Sequence, residues 1–254
     1  MSHPSKRHTY APEVVILPTA QDVDAYVSNL LLEQVKSKPS SIMTLPTGGT
    51  PLGVYKLLGA AHQEKGVDFS GITTLNLDEY WPIRKNHPSS YAFYMDENLF
   101  KRVNISEQNR QIPNGEAKDV KAEALRYETL LQQYAIDLCF ITLGPGETCH
   151  IGFNERGSAI DSRVRYVPLD AETREANARF FDNPRDMPTG AITQGVADIL
   201  DAKRILFVAT GEHKAWGVNR SLNGEINSDA PASFLRHHPD VTVVVDKAAA
   251  SLLP

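Results

Sequence analysis

Apolar residues in this chain fall alternately into short unbroken runs and longer stretches with helical spacing. Val14 to Leu17, Ile42 to Leu45, Thr73 to Leu77, Ile136 to Leu143, Ile205 to Thr210 and Val241 to Val245 are the runs, and each reads as a strand. Between them, Asp22 to Lys36 sets Val23, Tyr26, Val27, Leu30, Leu31 and Val35 along one helix face. Val120 to Tyr134, Glu172 to Phe180 and Ala191 to Leu200 read as further helices. Ile136 to Leu143 is almost wholly apolar, as expected of a strand covered on both faces of a parallel sheet. Strands alternating with helices predict an α/β fold: a single-domain, doubly wound, mostly parallel sheet of Rossmann-like type with helices on both faces. Residues 1–12 are polar and basic and read as a flexible tail, leaving residues 13–254 as the domain.

The segments at the carboxyl ends of the strands carry the chemistry. Ile42–Leu45 runs into Pro46-Thr47-Gly48-Gly49-Thr50-Pro51, and Thr73–Leu77 into Asp78-Glu79-Tyr80. Ile136–Leu143 runs into Gly144-Pro145-Gly146-Glu147-Thr148-Cys149-His150, and Ile205–Thr210 into Gly211-Glu212-His213-Lys214. In an open parallel sheet these carboxyl ends share one edge, where ligands bind. One such motif is usually a turn, whereas four at one edge predict a site.

Composition removes several classes. With 26 Lys and Arg against 31 Asp and Glu, the formal net charge is −5, a poor match to nucleic acid or an anionic membrane. Cys139 and Cys149 are the only cysteines, too few for a disulfide framework or a Cys-rich zinc site. No apolar run approaches the ~20 residues that span a bilayer, and the N-terminus lacks a secretory apolar segment. A soluble cytoplasmic protein is the expectation.

Each motif has a plain alternative. Thr47, Gly48, Gly49 and Thr50 sit between a strand and a helix, with Thr50 suited to the cap and Pro51 to the first helical position. Close backbone approach and free N–H groups make this a phosphate cradle, against the alternative of a tight turn. Gly48 and Gly53 have P-loop spacing, but Val54-Tyr55 replaces the required Lys-Ser/Thr, which argues against nucleoside triphosphate binding. Gly144-Pro145-Gly146 fails as a dinucleotide fingerprint because Cys149 stands at the third Gly. His150 and Glu155 do not have zinc-site spacing. His150 is instead a candidate proton carrier, its second nitrogen oriented by Glu155. Asp78 and Glu79 point to opposite faces, so one faces the crevice as a general base while the other caps or pairs elsewhere. Arg179 and Lys214 are candidate phosphate partners, the alternative being solvated helix residues.

Several segments together resemble glucosamine-6-phosphate deaminase, of the glucosamine/galactosamine-6-phosphate isomerase family. They are Leu45-Pro46-Thr47-Gly48-Gly49-Thr50-Pro51, Asn76-Leu77-Asp78-Glu79-Tyr80, His87-Pro88-x-Ser90-Tyr91 and His150-Ile151-Gly152-Phe153-Asn154-Glu155. Ala176-Asn177-Ala178-Arg179-Phe180-Phe181, Gly211-x-x-Lys214-Ala215 and Pro231-Ala232-Ser233-Phe234-Leu235-x-x-His238-Pro239 extend the match from about Val14 to Asp246. The resemblance implies conversion of glucosamine 6-phosphate to fructose 6-phosphate and ammonia, with no metal and no organic cofactor. It implies His150 as the ring-opening base held by Glu155, and Asp78 as the base for the C2 proton. The phosphate is expected on Thr47, Gly48, Gly49 and Thr50, neutralised by Arg179 and Lys214. Thr148 stands where the family pattern Gly-x-Gly-x-Asp-Gly-His has its relay Asp, and Cys149 where it has Gly, with Glu147 the nearest substitute carboxylate. Ser158 and Arg165 match the family's activator site, but Val167 replaces its Lys, which argues against that regulation. The expected partner is a small sugar phosphate, with no nucleic acid and no membrane; a homo-oligomer is left open. Galactosamine 6-phosphate is the alternative substrate. 6-Phosphogluconolactonase and a weakly catalytic or non-catalytic sugar-phosphate sensor are the other readings.

Overall fold

The structure, a computed structural model, describes residues 7–144 and 147–254. Seven strands form one parallel sheet: β1 (Glu13–Leu17), β2 (Ile42–Leu45), β3 (Thr73–Asn76), β5 (Arg110–Gln111), β6 (Leu138–Thr142), β9 (Ile205–Ala209) and β10 (Val241–Asp246). Their order across the sheet is β1-β10-β9-β6-β2-β3-β5. The winding reverses between β2 and β6, so the crevice beyond their carboxyl ends lies at the topological switch point.

Side-chain alternation along the central strands builds two cores. Leu138 and Phe140 of β6, Leu206 and Val208 of β9, and Val244 of β10 face α1 (Ala20–Ser37) and α2 (Leu52–Lys65) through Val23, Val27, Leu31, Val54 and Leu58. Cys139 and Ile141, Ile205 and Phe207, Val243 and Val245 face the other layer, where Tyr127 and Leu131 of α4 (Val120–Leu131) and Val218 of α7 (Ala215–Asn223) pack. Apolar residues on both strand faces are what a covered parallel sheet requires. α3 (Tyr91–Met95) runs on through one π-helical turn to Phe100 on the α1–α2 side.

A second, three-stranded antiparallel sheet lies outside the predicted pattern. β4 (Asp78–Trp81) and β7 (Arg165–Pro168) flank β8 (Gly190–Thr193). The expected helix Ala191 to Leu200 is therefore corrected. Its first part is β8, buried along its whole length, and only Val196–Leu200 is helical, as α6. Gly195 separates the two, with its backbone so close to Ser162 that a β-carbon would lie 2.1 Å from that carbonyl oxygen. Glu172 to Phe180 is helical as α5 (Ala171–Ala178).

Within the expected tail, Tyr10 N–H donates to Arg236 O at 2.8 Å and a His237 ring nitrogen lies 2.8 Å from His8 O. Residues 1–6 of that tail lie outside the described residues, as do Pro145 and Gly146 of the dinucleotide-like loop. Among the described residues no helix is long and apolar enough to cross a membrane.

Candidate active site

The loop after β2 is held by two phenols. Tyr55 OH donates to Pro46 O at 2.5 Å and Tyr94 OH to Gly48 O at 2.7 Å. Gly48 adopts φ 93°, a conformation that favours glycine, and a β-carbon on Gly48 or Gly49 would meet nothing within 4 Å. These glycines thus border open space. The helix starts one residue later than expected: Pro51, not Thr50, occupies the cap position of α2, with no side-chain cap. That leaves the first N–H groups of α2 unclaimed by a cap side chain, the condition for anion binding.

Lys214 lies one short turn beyond β9 and is buried, its ammonium donating to Leu143 O at 2.8 Å. Burial, then the nearby Arg179 charge, lowers its pKa to about 8. Arg179 follows the last turn of α5, its guanidinium 4.9 Å above the Phe180 ring. Both side chains line a cleft of about 560 Å³ together with Thr47, Gly48, Gly49, Thr50, Asp78 and His150. Eight of the ten residues singled out in the sequence therefore meet in one cavity. The other two, Thr148 and Glu155, are buried and do not line it.

The two carboxylates after β3 part as strand alternation requires. Asp78 lines the cleft, and burial, then the charge of Glu79, holds its pKa well above the usual carboxylate range. Glu79 turns away and accepts N–H groups from Tyr80 (2.9 Å), Tyr91 (2.9 Å) and Ala92 (2.8 Å), fixing the start of α3. Its pKa is raised to about 7 because burial outweighs those donors.

His150 is placed by its neighbours rather than by its helix or strand. A β-carbon on Gly144 would lie 1.9 Å from its Nε2, so the imidazole occupies the space above Gly144 at the end of β6. Nδ1 lies 2.5 Å from the Thr148 hydroxyl. Burial, then the Lys214 ammonium, lowers the imidazole pKa to about 3, so the ring is neutral near pH 7. The expected pairing of His150 with Glu155 is not what the hydrogen bonds show. Glu155 Oε2 accepts the Asp170 N–H at 2.9 Å, at the foot of α5, and Thr148 takes the ring nitrogen. The five-residue separation leaves Glu155 on the far side of a tight turn, in which Gly152 has φ 56°.

Several cleft residues were given no role in the sequence reading, among them Thr142, Thr210 and His213. Thr142 and Thr210 lie at the ends of β6 and β9, and His213 precedes Lys214. Their signal was position at a strand end alone. No cluster of three or more His, Cys, Asp or Glu placed to hold a metal occurs among the described residues.

Comparison with known proteins agrees with this fold. A family profile described as glucosamine-6-phosphate isomerases/6-phosphogluconolactonase matches residues 18–244. The chain belongs to the glucosamine-6-phosphate isomerase/6-phosphogluconolactonase family. It is 45% identical to a glucosamine-6-phosphate deaminase of Rhodopirellula baltica over 95% of this chain and 96% of that one. It is 41% identical to glucosamine-6-phosphate deaminase 1 of Bacillus subtilis over 95% of this chain and all of that one. A solved monomeric glucosamine-6-phosphate deaminase superposes with a TM-score of 0.91 at 40% identity, covering 94% of this chain and 99% of that one. The 6-phosphogluconolactonase of Trypanosoma brucei shares the fold, with a TM-score of 0.77 at 18% identity over 97% of this chain and all of that one.

Within this family frame the departures acquire a structural setting. Cys149 has φ 49°, the one positive φ outside glycine among the described residues, which is the reason a Gly suits that position. Its thiol is buried 3.7 Å from Gly217 O. Arg165 on β7 donates to Ser158 Oγ at 3.0 Å and to Asn154 Oδ1 at 2.9 Å.

Proposed function

We infer that this chain is a deaminating aldose–ketose isomerase that converts glucosamine 6-phosphate and water to fructose 6-phosphate and ammonia. The observation that carries the reading is the meeting of Asp78, His150 and Lys214 in one cleft beside the Gly48–Gly49 loop. A desolvated carboxylate, a neutral imidazole and a buried ammonium supply the base, the proton shuttle and the phosphate anchor this reaction needs.

The sugar must first open. An imidazole kept neutral by burial takes the O1 proton and returns a proton to O5, giving the free aldehyde. Asp78 then removes the C2 proton, forming an enolamine, and a proton delivered to C1 gives the ketimine. Water adds at C2 and ammonia leaves. Desolvation strengthens Asp78 as a base once it is ionised. Thr47, Gly48, Gly49 and Thr50 cradle the phosphate on the N-terminus of α2, with Lys214 and Arg179 offsetting its charge. Ammonia release measured with glucosamine and galactosamine 6-phosphates tests the reading. The expected result is turnover of the glucosamine compound. Turnover of the galactosamine compound alone would move the assignment to the C4 epimer, and inactivity on both would leave a sugar-phosphate-binding homologue.

A further inference from the structure

One acid of the cleft has no part in the chemistry above. Asp24 of α1 lines the cavity together with Ala20, Gly53 and the Thr47–Thr50 loop. Its carboxylate is packed on Gly53, the second residue of α2. A β-carbon on Gly53 would lie 1.9 Å from Oδ2 and 2.9 Å from Oδ1 of Asp24, so the carboxylate fills the space that the glycine leaves. The first turn of α2 carries no acid of its own.

A carboxylate brought to a helix start ordinarily accepts its free N–H groups. Asp24 does not. Among the described residues it makes no hydrogen bond and no ion pair, and burial alone acts on its carboxyl, raising the pKa. Lys214 and Arg179, the cations of the same cleft, leave it unpaired. A phosphate held by Gly48 to Thr50 and the start of α2 comes within about one helical turn, on the order of 5 Å, of this uncompensated charge. At that range, in a half-desolvated cleft, like charges repel appreciably. We propose that Asp24 is a specificity-determining residue, whose carboxylate repels the ester at the cradle and so sets how much negative charge the cleft accepts. The α2 N–H groups, Lys214 and Arg179 hold the ester, and Asp24 limits how tightly. The cleft then exchanges substrate and product at lower affinity than its cradle alone would give, and it penalises a doubly charged ester more than a singly charged one. An ordinary solvated helix acid would face water and would need no glycine on the neighbouring helix to make room for it.

The proposal rests on the reading of this loop as a phosphate cradle, and the test separates the two. Glucitol 6-phosphate and glucitol 6-sulfate have no carbonyl to react, and at neutral pH they carry charges of about −2 and about −1. Their dissociation constants are measured by calorimetry for the parent, Asp24→Asn and Asp24→Glu. Asp24→Asn should bind the phosphate about tenfold tighter and the sulfate only about threefold tighter, because repulsion scales with the charge it acts on. The gain on the phosphate should shrink in about 0.5 M salt, where exposed charges are screened. KM for glucosamine 6-phosphate should fall with the dissociation constant, since a phosphate remote from C2 contributes largely uniform binding. Asp24→Glu keeps the charge and should stay within about threefold of the parent. An Asp24→Asn variant that binds the phosphate no tighter than the parent overturns the proposal. So does an equal gain on both esters, which would mean space rather than charge, or an Asp24→Glu variant that matches Asp24→Asn. Any of these leaves the cradle standing as long as the parent binds the phosphate. A parent that binds neither ester overturns the cradle reading, and the proposal with it.

Discussion

At Gly144 a β-carbon would lie 1.9 Å from Nε2 of His150, and the imidazole cannot stay where it is if that carbon is present. Gly144→Ala should therefore cost at least about 10² in kcat, the scale of lost proton transfer, while the urea midpoint of unfolding moves little. A variant with parental turnover would show that the ring position is not set by this contact. Asp78 is the complementary case. Asn fills the same volume but cannot accept the C2 proton, so Asp78→Asn should abolish turnover while the affinity for fructose 6-phosphate stays within a few-fold of parental. Near-parental ammonia release would remove Asp78 as the base. Both residues were visible in the sequence as strand-end positions. The dependence of the His150 ring on Gly144 was not, since nothing in a linear motif says that a glycine six residues before a histidine makes room for its ring.

At the scale of elements, α3 begins where it does because Glu79 gathers three backbone N–H groups at the end of an unrelated strand. Gln at this position keeps one carbonyl oxygen but turns an NH₂ towards a donor. Glu79→Gln should destabilise the protein by about 1–3 kcal/mol, the cost of a buried donor left without an acceptor. The loss should depend on pH. Glu79 has a folded pKa near 7 against an ordinary value of 4.5, so its contribution to stability is fully present below about pH 4.5 and declines as pH rises through 7. The gap between parent and variant in urea unfolding should be larger at pH 5 than at pH 7.5, and an equal gap would refute this account. The element most misread, β8, shows the limit of periodicity. Gly190 to Thr193 is a short apolar run next to a helical one, and its partners β4 and β7 both lie far earlier in the chain.

For the whole molecule, the site's buried acids and its imidazole pull stability in opposite directions. Asp78, Glu79 and Glu155 all have raised folded pKa values, so between about pH 5 and 6.5 the folded chain holds protons that the unfolded chain releases. His150, lowered to about 3, does the reverse over the same window. The acids outnumber it. Stability should fall from pH 5 to pH 7, as the buried carboxyls of Asp78 and Glu79 together outweigh the imidazole. Unfolding curves that show rising stability over this range would mean that the acids are ionised in the folded protein. A cleft that desolvates Asp78 and His150 is thus maintained at some expense to stability near neutral pH.

The sequence by itself determined the parallel sheet, the layering of its helices and the four strand ends that face one edge. These are local matters: an apolar run, a helical period and a glycine turn are each written in a few adjacent residues. It also placed Asp78 and Glu79 on opposite faces, because alternation along a strand needs no knowledge of what the strand packs against. Tertiary structure alone decided the rest. Only the fold brings β4, β8 and β7 together. Only the fold gives the His150 ring to Thr148 and turns Glu155 to the backbone of Asp170. Partners chosen across a tight turn and a distant helix depend on where whole elements come to rest. Side-chain types at fixed spacing can name the chemistry of a site without saying which group bonds to which.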